Sequence, residues 1–314
     1  MKQLFNLILI CLLPAFSMGQ EIMMSPAIFN ELKLKLTNDS VLFLNKAAEI
    51  NTFDLDKIKC IEITALNKQS PALDSDILDK IFNYTPHLEE LVLHSNLTGL
   101  PEISSPGKKL RVLDLSRNNL DIIPEGIGQL TALEILRCDY NEHLKALPPS
   151  IAQLSKLQLL SLYGTGFEEF PEEIFSLSTL TKLYLTGHPQ IGTQVKTPKK
   201  INSIPDQFAK LPELTDLSIR YTNISTLPAS ITKLLKLEEL SLSGNAFKTF
   251  PDQLKAMKGL VIVNFGNNPV DPKTFINSLH NIKWRGLLYL HDLGLDKVQQ
   301  EKIQTLLSTI DVYY

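Results

Sequence analysis

The chain is 314 residues long, 44% hydrophobic and 21% charged, with a formal net charge of −3. It is long enough to bury a substantial core. It carries no basic excess with which to neutralise a phosphate backbone and no polybasic tract for an anionic bilayer, which excludes nucleic acid as an expected partner.

Residues 1–19 read as a secretory signal. Lys2 supplies a short positive region, Leu4 to Leu13 is apolar apart from Asn6, and Ser17-Met18-Gly19 offers small residues for cleavage before Gln20. The apolar run is too short to span a bilayer, which takes about 20 helical residues, and no later run qualifies. The expected location is therefore exported: secreted, periplasmic or at the cell surface. Residues 20–57 form an expected N-terminal cap with two open readings. Leu32 to Leu36 alternates like a strand, while Asp39-Ser40 before Val41 to Ile50 fits a capped helix.

From residue 58 the chain repeats itself. Leu100-Pro101, Ile123-Pro124, Leu147-Pro148, Phe170-Pro171, Ile204-Pro205, Leu227-Pro228 and Phe250-Pro251 place prolines at steps of 23, 24, 23, 34, 23 and 23 residues. A fixed period in this range is the mark of a solenoid, whose units contact only their neighbours. The cleanest copy reads Leu110, Leu113, Leu115, Asn118, Leu120, Ile123, Pro124, Ile127, Leu130, and restarts at Leu133. Its first part alternates like a strand and its later part spaces apolar residues by three, as in a helical or 3₁₀ return. Proline suits the first turn of that return, where its missing N–H is not needed. Further copies start at Leu88, Leu157, Leu180, Leu214, Leu237 and Leu260, with a weaker one at Ile58, giving about nine units over residues 58–268.

This pattern closely resembles the leucine-rich repeat family, with LPxxIxxL-type units. The resemblance implies an α/β solenoid: a curved parallel sheet, a short helical or 3₁₀ convex side, and ligand binding on the concave side. Extracellular animal members usually carry disulfide-stapled caps. Cys60 and Cys138 lie three repeats apart, beyond the roughly 7 Å reach of a bridge between Cα atoms, so the resemblance favours an exported bacterial protein.

The asparagine of the repeat has a physical task. It can donate and accept, and so satisfy backbone groups buried where each strand turns. Asn96, Asn118, Asn141, Asn245 and Asn268 fit, whereas Thr165, His188 and Thr222 replace it in three consecutive units.

Residues alternating with the strand leucines face the concave side. Tyr140, Tyr163, Tyr184 and Tyr221 fall there in four consecutive units, with Arg137, Asp139 and Arg220 beside them. Tyrosine and arginine are the residues most enriched at interface hot spots, so these seven form the expected ligand-binding patch. The eleven extra residues between Pro171 and Pro205 lie near 192–200, and His188, Gln190, Lys196, Lys199 and Lys200 make an expected rim loop beside the patch. The two following units show mostly Ser, Gly and Asn, a surface with little expected anchoring power.

Residues 269–314 read as a C-terminal helical cap. A helix is expected from Asp271-Pro272 to about Leu279, a last strand over Leu287 to Leu290, and a last helix over Asp296 to Leu307 with Val298, Ile303, Leu306 and Leu307 inward. Trp284 is expected to cover the end of the core.

No zinc-protease, nucleophile-elbow, phosphate-loop or paired-cysteine motif is present. His94 is expected beside Glu90, which makes no catalytic set; Asp74, Asp76 and Asp79 read as helix capping. The chain is therefore expected to be a non-enzymatic, cofactor-free and metal-free monomer that binds a protein or peptide. Two rival functions are a glycan or cell-wall fragment on the same tyrosine face, and a structural or adhesive role.

Overall fold

A computed structural model describes residues 30–36, 41–44, 54–65, 73–104, 109–187 and 201–314. The signal region, the residues 188–200 that contain all five rim-loop residues, and part of the N-terminal cap lie outside the described residues.

The described strands form one 13-stranded sheet. It opens with an antiparallel pair, β1 (Asn30–Leu36) and β2 (Val41–Leu44), and β1 also pairs antiparallel with β3 (Ile58–Ala65). The strand reading of Leu32 to Leu36 is thus the right one, and Val41 starts a strand rather than a helix.

All later pairings are parallel. The strands are β4 (Glu90–His94), β5 (Val112–Asp114), β6 (Ile135–Arg137), β7 (Leu159–Tyr163), β8 (Lys182–Thr186), β9 (Asp216–Arg220), β10 (Glu239–Ser241), β11 (Ile262–Asn264), β12 (Leu287–Tyr289) and β13 (Asp311–Tyr313). Their register puts Leu91, Leu113, Leu136, Leu160, Leu183, Leu217, Leu240, Val263, Leu288 and Val312 in one continuous row. Leu113, Leu136, Leu160 and Leu183 are all fully buried. Each such side chain contributes about 1.5–3 kcal/mol by leaving water, and the period repeats that contribution coil after coil.

On the convex side the return segments are single 3₁₀ turns: Glu125–Gln129, Pro149–Gln153, Glu172–Ser176, Phe208–Lys210 and Ala229–Lys233. A one-turn helix, α2 (Asp252–Lys255), replaces them in the next coil. The repeat prolines sit one residue before most turns, not inside them. Pro124, Pro148, Pro171 and Pro228 keep φ between −69° and −71°, and their carbonyls accept the first turn bonds from Ile127, Ile151, Ile174 and Ile231. Proline fixes φ and needs no donor there. The same isoleucines are buried and anchor the convex wall.

The longer step between Pro171 and Pro205 leaves the sheet unbroken. Thr215 and Asp216 N–H groups donate to the Thr181 carbonyl at 2.8 and 3.0 Å, and Leu183 stays in register with Leu217. A ring cluster of Phe170, Phe175 and Phe208 bridges the two flanking coils.

The ends close differently. Near the start, α1 (Ser75–Asn83) is capped by Asp74, whose side chain accepts from Asp76 N–H, and it buries Ile77, Leu78, Ile81 and Phe82. At the far end α3 (Pro272–Ser278) is capped by Asp271, and α4 (Lys297–Leu306) opens on a capping box between Asp296 and Gln299. Trp284 is 1% exposed and closes the core. Two expectations fail here. Leu287–Tyr289 is followed by one more strand, β13, and Val298 faces solvent at 74% exposure while Ile303 and Leu307 turn inward.

Candidate functional site

The strand turns set the site's upper edge. Asn118 and Asn141 are buried, and each reaches back one coil. Asn118 Nδ2 donates to the Leu93 and Leu115 carbonyls at 2.6 and 2.8 Å, and its Oδ1 accepts from Ser95 and Leu97 N–H at 3.0 and 2.9 Å. Asn141, Asn245 and Asn268 bridge neighbouring coils in the same way. Thr222 has lost that reach and instead donates to Asn245 Oδ1 at 2.5 Å. Asn96 does not take the buried ladder place. It is half-buried with φ +58°, and its neighbour Ser95 is buried instead.

The residue at this bend adopts the left-handed region. Arg117, Tyr140, Tyr221 and Asn267 have φ between +50° and +60°, with Gly164 and Gly244 at the same register. Tyr140 and Tyr221 are therefore not on the concave strand face. They stand at its rim, just past β6 and β9. The Tyr140 ring crosses Gly164 of the next coil and meets the Tyr163 ring at a centroid distance of 5.0 Å. The Tyr221 ring crosses Gly244, with the Arg220 guanidinium 5.3 Å from its centroid.

Tyr163 and Tyr184 do lie on the strands, half-buried and facing the concavity. Together with Asp139, Tyr140 and Arg220 they line a groove of about 530 Å³. Arg137 and Tyr221 do not line it. Arg137 stands one strand from Ser161, close enough for its charge to act on Tyr184. His188, Gln190, Lys196, Lys199 and Lys200 lie outside the described residues.

The groove extends further toward the C-terminal coils than the expected patch. Its lining continues over Ser218, Ser241 and Asn264 to Tyr289 on β12. These small side chains, which promise little anchoring as a sequence, leave the space that makes a trough. Tyr184 on β8 and Tyr289 on β12 wall it, four strand spacings or roughly 19 Å apart along the sheet. Tyr289 is itself braced by Tyr313, stacked at 5.1 Å. Asp216 and Glu239 also line the trough. They precede the strand leucines, a column that alternation marks as concave just as it marks the one following.

Electrostatics differ along the groove. Burial pushes the Asp139 carboxyl above its ordinary value, although Ser161 Oγ–H at 2.5 Å and Tyr163 N–H at 2.8 Å partly offset it. Burial also raises the Tyr163 and Tyr184 phenols, helped by Tyr140 and by Asp216 respectively. Asp216 holds Lys182 at 3.3 Å and accepts from Thr215 Oγ at 2.6 Å. Outside the groove, His94 pairs with Asp114 at 3.1 Å rather than with Glu90. Burial opposes that carboxylate, but the His94 and Ser116 hydrogen bonds outweigh it and hold its pKa down.

Among the described residues no group of three or more His, Cys, Asp or Glu is placed to hold a metal ion, and no helix is long and apolar enough to cross a membrane. Cys60 and Cys138 are free thiols; Cys138 is fully buried, and burial pushes Cys60 up to about 11.

Comparison with known proteins agrees with this geometry. A leucine-rich repeat family model matches residues 109–130. Leucine-rich repeat-containing protein 58 of Xenopus laevis is 33% identical over 90 residues, which is 29% of this chain and 26% of that protein. The chain spans about a quarter or less of the length of this and comparable curated relatives. Among solved structures, a chain of the Drosophila Toll–Spatzle complex superposes with a TM-score of 0.59 at 18% identity, covering 76% of this chain and 32% of that one. An internalin C2 of Listeria monocytogenes gives 0.51 at 22% identity, covering 70% and 84%. Likeness at these identities shows the fold. With its row of buried leucines, its asparagine ladder and its 3₁₀ returns, the chain is a leucine-rich repeat protein.

Proposed function

We propose that the protein is an exported, monomeric, non-enzymatic scaffold whose concave trough receives a protein or peptide. The observation that carries this reading is the trough itself: tyrosines at both ends, small polar residues across the floor, about 530 Å³ of space, all on one rigid sheet. Rigid aromatic side chains offer large contact area at small entropic cost, which suits recognition of another chain. A chain of the Toll–Spatzle complex, built on the same fold, stands among its structural neighbours. Export rests on the apolar segment Leu4 to Leu13 and the small residues before Gln20.

The test is a pull-down from the native envelope and secreted fractions with the wild-type chain and a Tyr163→Ala/Tyr184→Ala variant. A partner captured by the first and lost by the second supports the reading. Equal capture by both refutes the trough as the site. A glycan array run beside it separates the sugar-binding alternative. Mass spectrometry of the exported protein should find Gln20 as the first residue.

A further inference from the structure

The trough has an uneven charge. Three carboxylates line it, Asp139, Asp216 and Glu239, against the single guanidinium of Arg220. That guanidinium is already engaged, its Nε donating to Ser243 Oγ at 2.8 Å and its plane near Tyr221. Asp216 and Glu239 stand directly opposite each other on β9 and β10. Like charges in that relation destabilise a sheet pair, and Lys182, bound to Asp216, neutralises only one of them. Glu239 is exposed at the mouth of the trough and forms no ion pair among the described residues. Beneath it Ser241 Oγ is buried with no hydrogen-bond partner. Two strands away, across Ser218, Tyr184 presents its ring, its phenol raised by burial and by the Asp216 and Glu239 charges.

A carboxylate left unpaired, in one trough with an aromatic ring and an unused hydroxyl acceptor, is the surrounding that a guanidinium or ammonium group prefers. Resting on the reading above, we propose that the trough is selective for a basic segment of a partner polypeptide. One arginine or lysine lies over Ser241, its head paired with Glu239 and its stem along the Tyr184 ring. Asp139, at the far end of the same groove, offers a second anionic point, since the described contacts engage only its Oδ1.

The experiment is selection of a phage-displayed random peptide library on the full chain, counter-selected against the Tyr163→Ala/Tyr184→Ala variant so that only trough binders remain. Synthetic copies of the enriched peptides are then titrated against wild type and Glu239→Lys. Glu239 is exposed, so the charge reversal folds, which circular dichroism verifies. The expected result is enrichment of Arg and Lys over Asp and Glu, and affinity at least about tenfold weaker for Glu239→Lys, with binding that weakens as salt rises. Trough binders that are neutral or acidic, or that bind Glu239→Lys as well as wild type, overturn the charge assignment while leaving the trough as the site. Recovery of no trough-dependent peptide overturns both.

Discussion

Replacing Asn118 by alanine removes one side chain and strands three buried backbone groups. Two N–H donors, of Ser95 and Leu97, lose Oδ1, and the Leu93 carbonyl loses Nδ2, while the Leu115 carbonyl keeps its bond from Asn141 Nδ2 at 2.9 Å. Asn118 is 4% exposed, so water cannot take its place without opening the coil. At about 1 kcal/mol net for each stranded group, the expected loss is about 3 kcal/mol. Aspartate keeps the acceptor but cannot donate, and it places a charge against two carbonyls, so Asn118→Asp should cost at least as much near neutral pH. Asn223 is the control. It is exposed and makes one bond, to Asn202 at 2.6 Å, so Asn223→Ala should stay within about 0.5 kcal/mol. Urea unfolding followed by far-UV circular dichroism gives each value by linear extrapolation. Hydrogen exchange should show the Ser95 and Leu97 amides losing protection first. A loss below about 1 kcal/mol for Asn118→Ala would refute the claim that the ladder, and not the leucine row alone, holds successive coils together.

Three further outcomes are expected. Leu160→Ala, at a fully buried place in the leucine row, should lower stability by about 2–5 kcal/mol in the same urea assay. Gly244→Ala should cost about 2 kcal/mol, because φ is +69° and an added Cβ runs into the Tyr221 ring. Adding Tyr221→Ala should recover the clash and leave the backbone part, about 1 kcal/mol, as read by thermal melting. Asp139→Asn should stabilise the protein at neutral pH. The folded carboxyl is raised above its ordinary value, so its ionisation opposes folding once pH climbs through that range. The asparagine oxygen still accepts from Ser161 and Tyr163, and the advantage should vanish below the ordinary aspartate value of 3.8, which melting curves across pH would reveal.

The sheet and its row of leucines were legible because a 23-residue period can be met by only one stacking, and alternation around Leu113 or Leu183 fixes which side chain turns inward. The capped helices were legible from Asp271-Pro272 and Asp296 for a local reason: capping is a matter between near neighbours. Other features depend on what is distant or missing. Lys33 and Lys35 alternate with leucines whether or not β2 is there to pair, so only the fold decides Val41 to Leu44. β13 carries Val312 where a leucine would announce it, and Val298 looks inward only if α4 is turned by one position. The trough eluded the residue pattern since Ser218, Ser241 and Asn264 matter for the volume they leave open. Asp216 and Glu239 stand in the column before the leucine, which varies from unit to unit and so carries no repeating signal. Tyr140 and Tyr221 look like strand residues. Left-handed backbone is rare outside glycine and asparagine, yet Gly164, Gly244 and Asn267 at the same register carried the hint.

The crossing of Tyr140 over Gly164 and of Tyr221 over Gly244 makes coil order matter. Wherever one unit ends its strand in a bulky ring that leans forward, the unit after it must omit a side chain at the matching bend. Units with the same template are thus not interchangeable bricks. Transposing the coil of Gly244 with that of Asn267 would drive the Tyr221 ring against an asparagine, so reshuffled arrays of these repeats should assemble only where that neighbour rule is kept.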